Sequence, residues 1–299
     1  MGRNLAIGSV ASPNNSASAV APELIYCIPF ICNETVRDFA VALRQPKALL
    51  AGLLCQVIGL PLIAFLLIRV FQLQGDLAFG VMILSCCPGG ITSNVMSRWA
   101  RGDVALSISY TAIVSLLTAI TLPFILGASA GQFLQKADFA IAVAPLSLKV
   151  FAIATLPVLI GVVIKRLYSS SASRWERSCS RLANMLFALI LLATLISQWA
   201  VFTDHLAALG PTLISLNVLM LLLGCTLGPL LSLPSSQVTT LAIESGFQNG
   251  TVGIVVGAML SQPGTDAVLT ELSLPSAVYG VLMLITVVPF VLWRRSLEG

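Results

Sequence analysis

The sequence predicts an all-α polytopic membrane protein, and three observations carry that reading. Of its 299 residues, 57% are hydrophobic and only 9% charged, where a soluble domain averages about 25% charged residues. Apolar runs of about 20 residues recur along the chain, the length an α-helix needs to cross roughly 30 Å of hydrocarbon. Alternation at period two is absent, which sets aside a β-barrel. The net charge of +4 is ordinary for a membrane protein with basic cytoplasmic loops and gives no hint of nucleic acid.

The elements follow in order. Residues 1–19 are polar and small, lack the apolar core of a signal peptide, and are expected to form a flexible tail. A short apolar segment at about 20–36 could supply a ninth span. Eight longer spans are expected at 48–70, 77–100, 104–127, 139–165, 182–202, 210–232, 237–261 and 268–293. Residues 20–299 thus form one transmembrane domain of eight to nine helices. The seven cysteines show no metal-ligand spacing and mostly lie in apolar runs, where a thiol packs as a small hydrophobe.

Basic residues set the orientation. Arg44, Lys47, Arg98, Arg101, Lys165, Arg166, Arg174, Arg177, Arg181, Arg294 and Arg295 fall on alternate loops, and the opposite loops hold only Arg69 and Lys136. The positive-inside rule then makes the C-terminus cytoplasmic.

Two spans are interrupted alike. Pro88-Gly89-Gly90, followed by Thr92, Ser93 and Asn94, breaks the second; the run from Glu244 to Gly250 breaks the seventh. Residues 77–87 alone would reach only about 16 Å, too little to cross. Each interrupted span therefore reads as two half-helices. Breaks five spans apart imply two inverted five-helix repeats, about 20–127 and about 139–293, with the second broken helix entering from the other side, the sequence mark of a secondary transporter.

Unwound backbone at membrane depth is tolerated only where it is buried in protein or lines a polar cavity. Glu244 is the one acidic residue deep within an apolar span and should face a partner. Around it the sequence offers oxygen: Gln56, Ser93, Asn94, Ser107, Thr111, Gln248 and Asn249. Oxygen donors with one carboxylate favour a monovalent ion such as Na⁺ over zinc or copper, which take His or Cys. Ser107 and Thr111, four apart, share a helix face. The only histidine, His205, is expected in a loop, and Lys149 is the only basic residue well inside a span. The four tyrosines, Tyr279 among them, read as interface or packing residues. An intramembrane enzyme would need a nucleophile, base or metal set that the spans lack.

The stretches "CCPGGITSNVMSRWARGDVALSISYTAIVSLLT" and "ESGFQNGTVGIVV" resemble the bile acid:sodium symporter family, in its bacterial form, over residues about 38–293. The resemblance implies a core domain with two crossing broken helices and a panel domain. It implies one sodium site at Ser93, Asn94, Ser107, Thr111 and Glu244, and a second at Gln56, Glu244 and Gln248 with the carbonyls of Ser245 and Phe247. No other cofactor is expected beyond these two coupling ions. The partners expected are Na⁺, an organic anion and the lipid bilayer, in a bacterial inner (plasma) membrane, with no protein partner. Helix N-termini at Gly90–Asn94 and Asn249–Thr251 suit a carboxylate, so Thr92, Asn249, Gly250 and Thr251 are the candidate substrate residues. The chain departs from bacterial relatives at Ile91 and Thr92. Met283 and Leu284 stand where some bile-acid-binding relatives have a His-Asn pair. The function expected is sodium-coupled symport of an organic anion by alternating access; the alternative is a proton-coupled carrier or exchanger on the same crossed-helix fold, with Glu244 as the proton carrier.

Overall fold

The computed structural model describes residues 45–134, 199–261 and 270–297, with single positions at 148, 151, 185, 192 and 196. The expected tail, the segment at 20–36, most of the spans at 139–165 and 182–202, and Lys149 lie outside the described residues. Among the described residues every regular element is helical: α1 (Pro46–Val70), α2 (Gly75–Ser85), α3 (Ile91–Trp99), α4 (Val104–Phe133), α5 (Trp199–Leu230), α6 (Ser235–Gly246), α7 (Gly250–Leu260) and α8 (Leu274–Leu297). Four of these, in α1, α4, α5 and α8, are long and apolar enough to cross a membrane.

The order long helix, broken helix, long helix occurs twice, as α1, α2–α3, α4 and as α5, α6–α7, α8. The turns after α1 and α5 close in the same way. Gln72 (φ 55°) and Ser232 (φ 57°) adopt the left-handed conformation, and the next amide returns to the helix, Leu73 N to Ile68 O at 3.0 Å and Leu233 N to Gly228 O at 3.0 Å. These six-to-one bonds satisfy carbonyls that a helix end would otherwise leave bare.

Helix α1 contains a π-helical segment, Cys55–Gly59, and Pro61 explains it. Proline has no N–H to give to Val57 O, and its ring would press on that carbonyl. The widened turn relieves the clash, with Leu60 N donating to Cys55 O. The outer face of α1 carries Leu50, Leu54, Ile58, Leu62, Leu66 and Val70, all exposed. A stripe recurring every fourth residue, apolar where a water-facing helix would be polar, fits a lipid-facing surface.

One end of the structure is tied together by polar contacts. Gln45 Nε2 donates to Asp103 Oδ2 at 3.1 Å, Asp103 N donates to Ser236 O at 3.2 Å, and Thr240 Oγ1 donates to Asp103 O at 3.1 Å. Arg294 donates through Nε to Thr239 Oγ1 at 2.8 Å and through Nη2 to Ser235 O at 3.0 Å. The start of α1, the α3–α4 turn, the start of α6 and the end of α8 thus share one end. At the opposite end Arg69 donates to Gln132 Oε1 at 3.0 Å, beside the Phe65 and Phe133 rings.

The structure corrects one element. The expected loop around His205 is helical, because α5 runs unbroken from Trp199 and carries Pro211 inside it. The four described cysteines, Cys55, Cys86, Cys87 and Cys225, are free, the first three buried.

Candidate functional site

The two breaks meet. Gly90 (φ −105°, ψ 162°) caps α3 in extended conformation, and the first interruption spans 86–90. The second is Phe247–Asn249, where Phe247 is extended (φ −95°, ψ 115°). Asn249 N donates to Pro88 O at 2.8 Å, joining one link to the other. Pro88 can serve only as acceptor here, since it has no N–H. A Cβ on Gly89 would lie 3.0 Å from Glu244 Oε2 and 3.5 Å from Phe247 O, so any larger residue would press on the Glu244 carboxylate.

Glu244, on the last turn of α6, is fully buried. Its donors are neutral hydroxyls from the other half of the chain. Ser93 Oγ lies 2.7 Å from Oε1, Ser107 Oγ also bonds Oε1, and Thr111 Oγ1 lies 2.8 Å from Oε2. Ser107 Oγ is also 2.7 Å from Asn94 Oδ1 and 3.3 Å from Ser97 Oγ, and Ser93 Oγ is 2.6 Å from Gly90 O. The structure therefore brings Ser93, Asn94, Ser107, Thr111 and Glu244 into one cluster.

Proton counting shows what such a cluster can hold. A hydroxyl has one proton, yet Ser107 faces the acceptors Glu244 Oε1 and Asn94 Oδ1 besides the Ser97 hydroxyl, and Ser93 faces two. The surplus of converging lone pairs around a buried carboxylate is what a cation would relieve, whereas a buried charge left alone is costly. Among the described residues no group of three or more His, Cys, Asp or Glu could hold a metal. The donor set is thus one carboxylate and neutral oxygens, which fits a hard monovalent ion.

The second expected group also assembles. Gln56, placed on the π turn of α1, lies with Nε2 2.7 Å from both Cys87 O and Gln248 Oε1. Gln248 Nε2 lies 2.9 Å from Ser245 O, while Ser245 Oγ turns back to Leu241 O at 2.7 Å. Ser245 can thus contribute its carbonyl to the crossing and not its hydroxyl. Among the described hydrogen bonds none joins Glu244 to Gln56 or Gln248; the two groups approach each other at Gly89, between Glu244 Oε2 and Phe247 O.

The candidate substrate residues lie at two helix starts that face one another. Gly90 caps α3 and Asn249 caps α7, its Oδ1 accepting from Val252 N at 3.3 Å. A Cβ on Gly90 would be 4.0 Å from Asn249 Cα. Thr92, Asn249 and Thr251 are partly exposed and Gly250 is buried. Two N-termini, each with partial positive charge, converge from the two halves of the chain.

Comparison with known proteins decides the family. Residues 24–205 match the Sodium Bile acid symporter family. The chain belongs to that family. It is 30% identical over 264 residues to the probable sodium/metabolite cotransporter BASS1, chloroplastic, of Oryza sativa subsp. japonica, covering 83% of this chain and 60% of that protein. It is 26% identical over 248 residues to the uncharacterized sodium-dependent transporter YocS of Bacillus subtilis (82% and 72%). It is 29% identical over 255 residues to the human sodium/bile acid cotransporter 4 (80% and 55%). The chain therefore spans 60% of the rice relative's length. A symporter family of multi-pass membrane proteins, not of enzymes, accounts for the apolar helices.

One group escaped the sequence reading. Asn217 Nδ2 donates to Gly246 O at 2.7 Å and to Tyr279 OH at 2.8 Å, and Tyr279 OH donates to Gly246 O at 2.6 Å. Tyr279 is therefore more than a packing residue. An asparagine amid apolar residues, "ISLNVLML", was the available signal.

Proposed function

We propose that the protein is a sodium-coupled symporter of an organic anion, working by alternating access. The observation that carries this reading is Glu244, a fully buried carboxylate ringed by hydroxyl and amide oxygens where two broken helices cross. In this reading the Ser93, Asn94, Ser107, Thr111 and Glu244 cluster binds one Na⁺. Gln56 and Gln248, with the Ser245 and Phe247 carbonyls and Glu244, bind a second. Ion binding would replace the competing hydroxyl contacts with shared coordination and fix the crossing.

The N-termini of α3 and α7 would then receive a carboxylate, with Thr92, Asn249, Gly250 and Thr251 at its rim. The anion's affinity would depend on Na⁺ because the same links, 86–90 and Phe247–Asn249, carry both sites. Two Na⁺ moving with one monovalent anion would carry net positive charge inward, making transport electrogenic. The twice-repeated helix order and the matching turns at Gln72 and Ser232 support two inverted repeats. The described helices would form the moving core. Lys47, Arg98, Arg101, Arg294 and Arg295 at one end support a cytoplasmic C-terminus in an inner membrane.

The test is uptake into proteoliposomes of a labelled carboxylate, from a panel of pyruvate, pantoate and cholate, with and without an inward Na⁺ gradient. Accumulation that requires the gradient supports the proposal; equal uptake in choline would remove it.

A further inference from the structure

We propose that Asn217 and Tyr279 are positioning residues for the ion site at the α6 break. They hold the Gly246 carbonyl toward α5 and α8 and thereby turn the next carbonyl, that of Phe247, toward Glu244. The inference rests on the sodium reading of the Glu244 cluster and goes beyond it, because neither residue faces the ion.

The network is closed and buried. Gly246 O accepts from Asn217 Nδ2 at 2.7 Å and from Tyr279 OH at 2.6 Å. Asn217 Nδ2 gives its other proton to Tyr279 OH at 2.8 Å, and Asn217 Oδ1 faces Thr286 Oγ1 at 2.6 Å. Asn217 and Tyr279 are at most 1% exposed. The amide cannot be turned round, because its oxygen would then oppose a carbonyl that has no proton to give. One donor would satisfy a bare helix-end carbonyl; here two long helices each supply one, and both lone pairs of Gly246 O are taken.

Backbone geometry carries the effect to the ion site. Phe247 is extended, with φ −95° and ψ 115°, and consecutive carbonyls in extended backbone point to opposite sides. Clamping Gly246 O on the side of α5 and α8 leaves Phe247 O on the side of the crossing. There it lies 3.5 Å from the Cβ position of Gly89, itself 3.0 Å from Glu244 Oε2. Released from the clamp, the Gly246–Phe247 peptide keeps only its Phe247 N to Ile243 O bond at 2.8 Å. As that peptide tilts, φ of Phe247 changes, and because this torsion helps set the direction of the carbonyl that follows, Phe247 O leaves its place while the Glu244 cluster stays intact.

The test uses the purified full chain in detergent, titrated with NaCl against choline chloride at fixed ionic strength, with melting temperature as readout. Tyr279→Phe removes the hydroxyl and keeps the ring. It is expected to raise the Na⁺ midpoint about tenfold, the worth of one hydrogen bond, and to change the preference for Na⁺ over Li⁺. Saturating Na⁺ should still stabilise it. A variant that melts lower without Na⁺ but keeps the wild-type Na⁺ midpoint and Li⁺ ratio shows a merely structural role and overturns the proposal. Should Tyr279→Phe not fold, Thr286→Val, which reaches Gly246 only through Asn217, is read by the same criteria with an expected shift of about two- to threefold. Glu244→Gln separates the two levels of the argument. If it keeps its full Na⁺ response, the ion reading itself fails and takes this inference with it. If it loses the response while both clamp variants titrate as wild type, only the clamp is rejected.

Discussion

Replacing Glu244 by Gln removes one charge and almost nothing else. The amide keeps an oxygen for the Ser93 and Ser107 hydroxyls, and Thr111 Oγ1, now 2.8 Å from the carboxylate, can accept from the new NH₂ group. What disappears is attraction for a cation. For a monovalent ion about 4 Å from a carboxylate at an effective dielectric constant near 20, that attraction is about 4 kcal/mol, or roughly a thousandfold in affinity. Wild-type protein at 100 times its dissociation constant for Na⁺ gains about 2.7 kcal/mol of stability, which corresponds to a rise of about 5–10 °C in melting temperature. The variant should lose that rise. Without Na⁺ it should melt no lower than wild type, because a fully buried carboxylate with no cation is itself costly. The assay is a melting curve in NaCl and in choline chloride at equal ionic strength. A Glu244→Gln protein with the full Na⁺-dependent rise would refute the assignment of the cluster to an ion.

Three further outcomes follow from the geometry. Gly89→Ala would put a methyl group 3.0 Å from Glu244 Oε2 and 3.5 Å from Phe247 O; it should weaken the Na⁺ response at least tenfold in the same titration while leaving the protein inserted, and an unchanged midpoint would show that the ion does not sit there. Gly224→Ala would place a Cβ 2.7 Å from Ala242 N, against backbone that cannot yield locally, so α5 and α6 should separate at a cost of about 1–3 kcal/mol, seen as a lower melting temperature with and without Na⁺. Asn249→Ala removes the cap on Val252 N, costing about 0.5–2 kcal/mol, and should raise the apparent KM for the anion more than the Na⁺ midpoint; the reverse pattern would move the anion away from α7.

Much of the site was legible because breaking a membrane helix takes unusual residues. Pro88, Gly89 and Gly90 cannot continue an apolar helix comfortably, and Glu244, Gln248 and Asn249 have no reason to lie in lipid. Local chemistry therefore marked both links. It did not join Gln56 to Gln248, 192 positions apart; their pairing came from family resemblance and is set physically by the π turn. Pro61 was a visible cause of that turn, but its effect on the reach of Gln56 depends on packing between α1 and the crossing. The Asn217, Tyr279 and Thr286 network was missed for the same reason. Asn217 stands out in its apolar run but Tyr279 and Thr286 do not, and the network exists only where α5, α6 and α8 meet. The start of α5 was misplaced because Asp204 and His205 read as a loop, whereas the helix runs through both from Trp199.

The central claim is coupling between Na⁺ and an organic anion through the crossed helices. It is tested most directly by accumulation of the labelled anion in proteoliposomes under an inward Na⁺ gradient, with pH equal on both sides and the membrane potential set by a potassium diffusion gradient. The account predicts accumulation above the external concentration that needs Na⁺, grows when the interior is made negative, and vanishes in Glu244→Gln. Accumulation that follows an imposed pH gradient and is indifferent to Na⁺ would contradict it and assign Glu244 to a proton.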